Sequence, residues 1–221
     1  MKTEIFNICI LAGSFLLLFT VAELLYHFLN VKVELTRKLV HTGTGLLTLL
    51  FPVMLSNHWS VLLLCGSFAL ILIFSLKFQF LKSINAIDRK SSGSILYPIS
   101  VYICYLVYNS TQHYIYFYLP ILILAICDPV AALIGKKWPI GKYKVGKGSK
   151  TLIGSTLFFL SAVILCLILF SLLNMKLSVP HLIFSTFVIA LISTFTEAFS
   201  RNGYDNLTIP IAVLLMLILL I

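Results

Sequence analysis

Acidic residues are scarce in this 221-residue chain, confined to Glu4, Glu23, Glu34, Asp88, Asp128, Glu197 and Asp205. Asp128 is the sharpest of them. It closes the long apolar stretch Tyr114–Cys127, is followed at once by Pro129, and precedes Gly135 and a basic loop. An ionisable group near the middle of a bilayer costs about 2.5–3.5 kcal/mol, so a retained one usually marks a site. Pro129 is expected to break the helix there and leave an irregular backbone, which is tolerated only against protein or water. The competing reading is a helix-end carboxylate paired with a nearby lysine. Glu197 stands four residues before Arg201, where an i,i+4 ion pair is the plain alternative to a functional role. Asp205 and Asn206 open the last apolar run, as ordinary N-caps also do. Glu23, near the end of the first run, would snorkel or pair with Lys32. Carboxylates and an Asn amide supply oxygen ligands suited to Mg²⁺, which keeps water and bridges phosphates.

Basic residues form two groups of their own. On a helix, Glu34, Arg37, Lys38 and His41 share one face by i,i+3 and i,i+4 spacing. Two cations, an imidazole and a carboxylate suit a phosphorylated ligand, against the plainer reading of cytoplasmic anchoring and an interfacial histidine. Gly43 and Gly45 follow and would admit a close helix neighbour. The second group runs from Gly135 to Thr151 and interleaves Lys136, Lys137, Lys142, Lys144, Lys147 and Lys150 with Gly141, Gly146 and Gly148. Glycines let backbone N–H groups approach phosphate, and lysine adds compact positive charge. Gly141 to Lys147 matches the start of a Walker A loop, but Gly148 stands where that motif needs Ser or Thr, and no strand is expected before it. A P-loop fold is excluded, phosphate-binding chemistry is kept, and the alternative is a solvated loop against lipid headgroups.

These residues need elements to hold them, and the composition says what kind. The chain is 60% hydrophobic and 10% charged, with a mean hydropathy of +1.07, so an all-α polytopic membrane protein is expected. Eight spans are read at Ile5–Leu29, Leu39–Leu55, Trp59–Leu76, Ile95–Asn109, Tyr114–Gly135, Leu152–Asn174, His181–Phe199 and Leu207–Ile221. All Lys and Arg except Lys2 and Lys176 fall in loops one, three, five and seven. Cationic loops stay in the cytoplasm, which puts both termini outside and every candidate residue on the cytoplasmic side. Lys2 argues mildly the other way and is diluted by Glu4. The net charge of +9 then reflects topology and anionic headgroups rather than nucleic acid, for which no soluble module exists. The first span is too long, and its basic flank too thin, for a cleaved signal peptide. Cys9, Cys65, Cys104, Cys127 and Cys166 lie in apolar runs without CxxC spacing and read as packing residues. One domain over residues 1–221 is expected, without an internal repeat of the kind transporters show.

Taken in order, Glu34–Arg37-Lys38–His41, Asp128–Ala131–Gly135, Lys150-Thr151–Gly154-Ser155, and Glu197 followed by Asp205-Asn206-Leu207 and Pro210 resemble the CTP-dependent lipid-alcohol kinases: phytol kinase, dolichol kinase and the CTP-using diacylglycerol kinase. No single motif is specific, but the ordered set covers residues 34–210. The short chain is closer to the compact phytol- or prenol-kinase type than to eukaryotic dolichol kinases. The resemblance implies transfer of the γ-phosphoryl of CTP to a lipid hydroxyl with a divalent metal, and its Arg-Lys pair, Asp and following Gly fall on Arg37, Lys38, Asp128 and Gly135. Expected roles follow. Asp128 coordinates Mg²⁺ or accepts the alcohol proton; Arg37, Lys38 and Lys150 clamp the triphosphate, with Lys147, Thr151 and the backbone of Gly146 to Gly148 beside them. Glu197, Asp205 and Asn206 complete the metal site or orient the nucleotide, and His41 contacts phosphate or orients a carboxylate. The expected setting is the inner membrane of a bacterium. A CTP:phosphatidate cytidylyltransferase is the rival enzyme, although a denser Asp-rich C-terminal signature would be expected of it. A lipid transporter is the non-enzymatic rival, disfavoured because the outward half is nearly free of charge.

Overall fold

The computed structural model describes residues 2–78, 80–86, 92–146 and 148–221. Lys147 therefore lies outside the described residues, as does Asp88. In chain order come α1 (Lys2–Phe28), α2 (Val33–Thr48), α3 (Phe51–Met54), α4 (His58–Phe78), α5 (Lys82–Asn85), α6 (Gly93–Thr111) and α7 (Ile115–Leu122). A π-helical segment, Ile123–Cys127, joins α7 without a break to α8 (Asp128–Lys137). Strands β1 (Lys142–Val145) and β2 (Gly148–Thr151) follow, then α9 (Leu152–Leu172), α10 (Val179–Phe199) and α11 (Asp205–Leu220).

The all-helical membrane architecture is as expected. Five helical stretches are long and apolar enough to cross a bilayer: α1, α4, the continuous Ile115–Lys137, α9 and α10. The remaining expected spans correspond to α2 with α3, to α6 and to the apolar but shorter α11, and these fall outside that length and hydropathy. Three helices run into a residue in the left-handed region at or just past their ends: Asn30 (φ 50°) after α1, Gln112 (φ 58°) after α6 and Asn174 (φ 48°) after α9. The short amide side chain of asparagine tolerates that conformation better than a bulky one, which is how α1 and α9 stop without glycine.

Burial ranks the helices. In the stretch Ile115–Lys137, 61% of the apolar window is buried inside the protein, against 22% for α1. The central helix is thus the one that carries Asp128, with α2, α6, α9 and α11 packed around it. Polar ties fix the two ends of the bundle. At one end Ser56 and Ser60 donate to the Glu4 carboxylate at 2.6 and 2.8 Å, and Tyr105 donates to the Leu55 carbonyl at 2.8 Å. At the other, the Asn206 amide donates to the Gly93 carbonyl at 2.7 Å, and Ser92 N–H to the Asn202 carbonyl at 2.9 Å.

Two expectations are corrected. Pro129 does not break its helix, which runs on through α8, and the distortion lies in the preceding π-helical segment. The lysine-glycine loop is no open loop either. It folds into an antiparallel hairpin in which Val145 pairs with Gly148 and Tyr143 with Lys150. Gly146 (φ +59°) takes the positive φ that a two-residue turn requires.

Candidate functional site

Three segments distant in sequence meet at one end of the bundle: α2, the start of α8, and the hairpin with the adjoining ends of α10 and α11. Helix α2 does present Glu34, Arg37, Lys38 and His41 together, but they are already engaged. Lys38 Nζ lies 2.6 Å from Asp128 Oδ2, and both side chains are largely buried. His41 Nε2 lies 3.0 Å from the Leu124 carbonyl and 3.7 Å from the same Asp128 oxygen. A carbonyl only accepts, so Nε2 carries the proton and neutral His41 has its lone pair on Nδ1. Its imidazole is also held edge-on to Tyr97, with ring centroids 4.9 Å apart, while Tyr97 OH donates to the His41 carbonyl at 3.3 Å. Glu34 turns to Lys136 of α8 in an exposed pair. Arg37 is part-exposed beside them. The expected phosphate-binding face is therefore, in the structure, the cradle of Asp128.

The helix-end ion-pair reading of Asp128 and its functional reading meet here, since the carboxylate does pair with a lysine, but inside the protein. Burying two charges is repaid only when the pairing is close, and removing one partner then costs about 3–5 kcal/mol. A packing core gains little from such a pair, whereas a reaction that needs a fixed carboxylate gains a great deal.

Beside this pair stands a second. Lys150 Nζ lies 2.6 Å from Glu197 Oε1 and also donates to the Glu197 carbonyl. Glu197 therefore pairs with Lys150 rather than with Arg201, whose side chain packs near Gly146 at the hairpin turn. The other Glu197 oxygen, Oε2, is buried and has no hydrogen-bond partner among the described residues. Asp205 is the first residue of α11, accepts from the Asn206 N–H at 3.1 Å, and lies within electrostatic range of Asp128, Lys150 and Lys38. The three carboxylates do not close on one point, because among the described residues no group of three or more His, Cys, Asp or Glu side chains could hold a metal ion by itself. That spacing still fits Mg²⁺, which is commonly held by one or two carboxylates plus substrate phosphates. The orphaned Oε2 is the oxygen most in need of such a partner.

Other expected binding residues also carry contacts between elements. A Cβ on Gly135 would stand 2.5 Å from Thr151 Oγ1, and one on Gly154 would stand 2.9 Å from the Ala131 carbonyl, so these glycines let α8 and α9 touch. Thr151 caps α9 by accepting from Gly154 N–H at 3.1 Å. Asn206 spends its amide on tying α11 to α6. Gly146 and Gly148 flank the hairpin turn, where Gly148 is open to solvent. Lys142 and Lys144 point outward as exposed side chains, and Lys150 alone of the described hairpin lysines turns in. Glu23 neither snorkels nor pairs with Lys32: it accepts from Ser83 N–H and Oγ at 2.9 and 2.7 Å and so caps α5. Sequence reasoning passed over Tyr97 and Thr42. Thr42 adjoined a named histidine, but Tyr97 carried no signal at all.

A cleft of about 830 Å³ lies between the end of α10 and the start of α11, close to Glu197 but not including Asp128. Its walls include Ile192, Phe195 and Phe199, and its polar end includes Ser200, Arg201 and Thr208.

The chain is 32% identical over 191 residues to a phytol kinase of Synechocystis sp., a match that covers 86% of this chain and 81% of that protein. No family model matches the chain, and no solved structure does.

Proposed function

The chain belongs to the CTP-dependent lipid-alcohol kinase family, and on that premise we propose that it transfers the γ-phosphoryl group of CTP to the hydroxyl of an isoprenoid alcohol or similar lipid. Phytol, the substrate class named by the relative, is the first alcohol to try, with polyprenol, dolichol and diacylglycerol behind it. The proposed setting is the cytoplasmic face of a bacterial inner membrane, with the eight apolar runs as spans.

One observation carries this reading: a carboxylate fixed by a lysine at 2.6 Å, buried at one end of a membrane bundle, beside a second lysine–carboxylate pair with an uncompensated oxygen. Phosphoryl transfer asks a protein mainly for positioning and for charge stabilisation. The alcohol oxygen attacks the γ-phosphorus, the bond to the β-phosphate bridging oxygen breaks, and CDP leaves. Asp128 either takes the alcohol proton or helps hold the cation. Arg37, Lys38 and Lys150, with Lys147, supply positive charge to the triphosphate. Glu197, Asp205 and Asp128 would hold Mg²⁺, one or two of them together with the substrate, and the ion would supply positive charge against the triphosphate. The α10–α11 cleft is the berth assigned to the lipid chain, since its walls include apolar side chains and its polar end stands near Glu197.

Purified protein in nanodiscs, given Mg²⁺ and one γ-labelled nucleotide at a time with phytol, farnesol, geranylgeraniol, long polyprenol or diacylglycerol, tests the reading. Label on the lipid with CTP supports it. CMP on the lipid with pyrophosphate released would make the protein a cytidylyltransferase instead, and no product with any alcohol would remove the kinase reading.

A further inference from the structure

The central helix leaves α geometry just where its key carboxylate begins. Ile123–Cys127 is π-helical and Asp128 follows directly. A π-helical turn reaches five residues back for its hydrogen bonds, and such turns occur frequently at functional sites. Two carbonyls of this turn take donors from another helix. Pro129 has no N–H, so the Ala125 carbonyl lacks the donor that an α-helix would place four residues ahead. Thr42 Oγ1 donates to it at 2.9 Å. The neighbouring Leu124 carbonyl takes His41 Nε2–H at 3.0 Å.

Both donors are consecutive residues of α2, which also brings Lys38 to Asp128. Gly45 permits this approach, because a Cβ there would stand 2.3 Å from the Ala125 Cβ. A single helix thus holds the distorted turn and the carboxylate that the turn aims. The threonines of α10 behave differently: Thr194 Oγ1 bonds the Ala190 carbonyl of its own helix at 2.7 Å, and Thr196 does the same to Ile192.

We propose that Thr42 is a positioning residue for phosphoryl transfer: with His41 it donates to two carbonyls of the π-helical turn and so fixes the direction of the Asp128 carboxylate. This rests on the kinase reading of Asp128. A carboxylate shifted on a helix whose turn has relaxed would meet the reacting oxygen at the wrong angle, and misplacement by about 1 Å costs up to about a hundredfold in rate.

The test compares Thr42→Val, Thr42→Ser, Thr42→Cys and Thr194→Val in nanodiscs, with phosphoryl transfer and thermal unfolding read for each. Thr42→Val keeps the shape and removes the donor, so kcat should fall by about tenfold or more while the nucleotide KM stays within about twofold. Thr42→Ser should restore kcat, Thr42→Cys should be intermediate, and Thr194→Val should change neither constant. Unchanged kcat in Thr42→Val, or a loss that Ser does not restore, overturns the proposal. Should Thr42→Val fail to fold, Thr42→Cys decides: wild-type kcat there overturns it. Asp128→Asn is measured alongside. An active Asp128→Asn sinks the kinase reading of the site, whereas an inactive one beside a fully active Thr42→Val sinks only the role of Thr42.

Discussion

Lys150 reaches from strand β2 to bind Glu197 twice, through the carboxylate at 2.6 Å and through the main-chain carbonyl. The hairpin is thereby clamped onto the end of α10, and Glu197 keeps one buried oxygen without a hydrogen-bond partner among the described residues. A buried carboxylate oxygen left in that state is costly unless a ligand completes it. The inward lysine is thus part of the site's wall, and its outward neighbours Lys142 and Lys144 are not.

From this it follows that Lys150→Ala should raise the nucleotide KM, lower kcat, or both. Lys176→Ala, exposed in the loop between α9 and α10, should change neither. The contrast should persist at about 0.5 M salt, where exposed charges are screened within a few Å. If Lys150→Ala matched Lys176→Ala there, the clamp would rest on Arg37 and Lys38 alone.

Asp128→Asn removes a charge at constant volume and should abolish transfer. Because it also strands Lys38, it should lower stability, and Lys38→Met combined with Asp128→Asn should recover stability but not activity. Unfolding midpoints and initial rates of the single and double variants decide this. Retention of more than about a tenth of the rate, a loss under about 1.4 kcal/mol, would exclude Asp128 as either base or ligand.

Close helix approach gives a prediction about stability. Gly45→Ala forces a Cβ against the Ala125 Cβ at 2.3 Å, and neither group can swing aside. Gly43→Ala meets only the methyl ends of Leu18, the nearest at 2.8 Å, which can rotate. Thermal unfolding in detergent should show Gly45→Ala losing about 1–3 kcal/mol and Gly43→Ala clearly less. Equal losses would mean that the α2 contact with the π-helical turn is looser than described.

Topology can be read with thiol labelling in a background lacking the native cysteines. A cysteine at Ser149 should react only from the cytoplasm, and cysteines at Asn57, Thr111 and Ser178 only from outside. The opposite pattern would invert the membrane orientation and part the site from its nucleotide.

Filling the cleft separates lipid from nucleotide. Thr196→Phe should raise the KM for a long isoprenoid alcohol while leaving the nucleotide KM unchanged, because Thr196 lines the α10–α11 cleft. A change confined to the nucleotide KM would move the lipid elsewhere.

Much of this protein was readable from residue order alone, because hydropathy and loop charge act locally. Long apolar runs must become helices in a bilayer, and a lone Asp128 within one stands out without any knowledge of its neighbours. The spacing of Glu34, Arg37, Lys38 and His41 likewise announced a shared face, since helical periodicity needs only the chain itself. What that face touches was settled by packing. The close contact of Lys38 with Asp128 spans 90 positions in sequence, and the exchange of Arg201 for Lys150 as the partner of Glu197 spans 47. The π-helical turn, the hairpin and the donors Thr42 and His41 belong to the same class. Each depends on which surfaces the bundle presses together, and hydrogen-bond partners across helices leave no period in a sequence. Gly135, Thr151 and Asn206 show the converse: residue types suited to binding phosphate also hold elements together, contacts made only when those helices met.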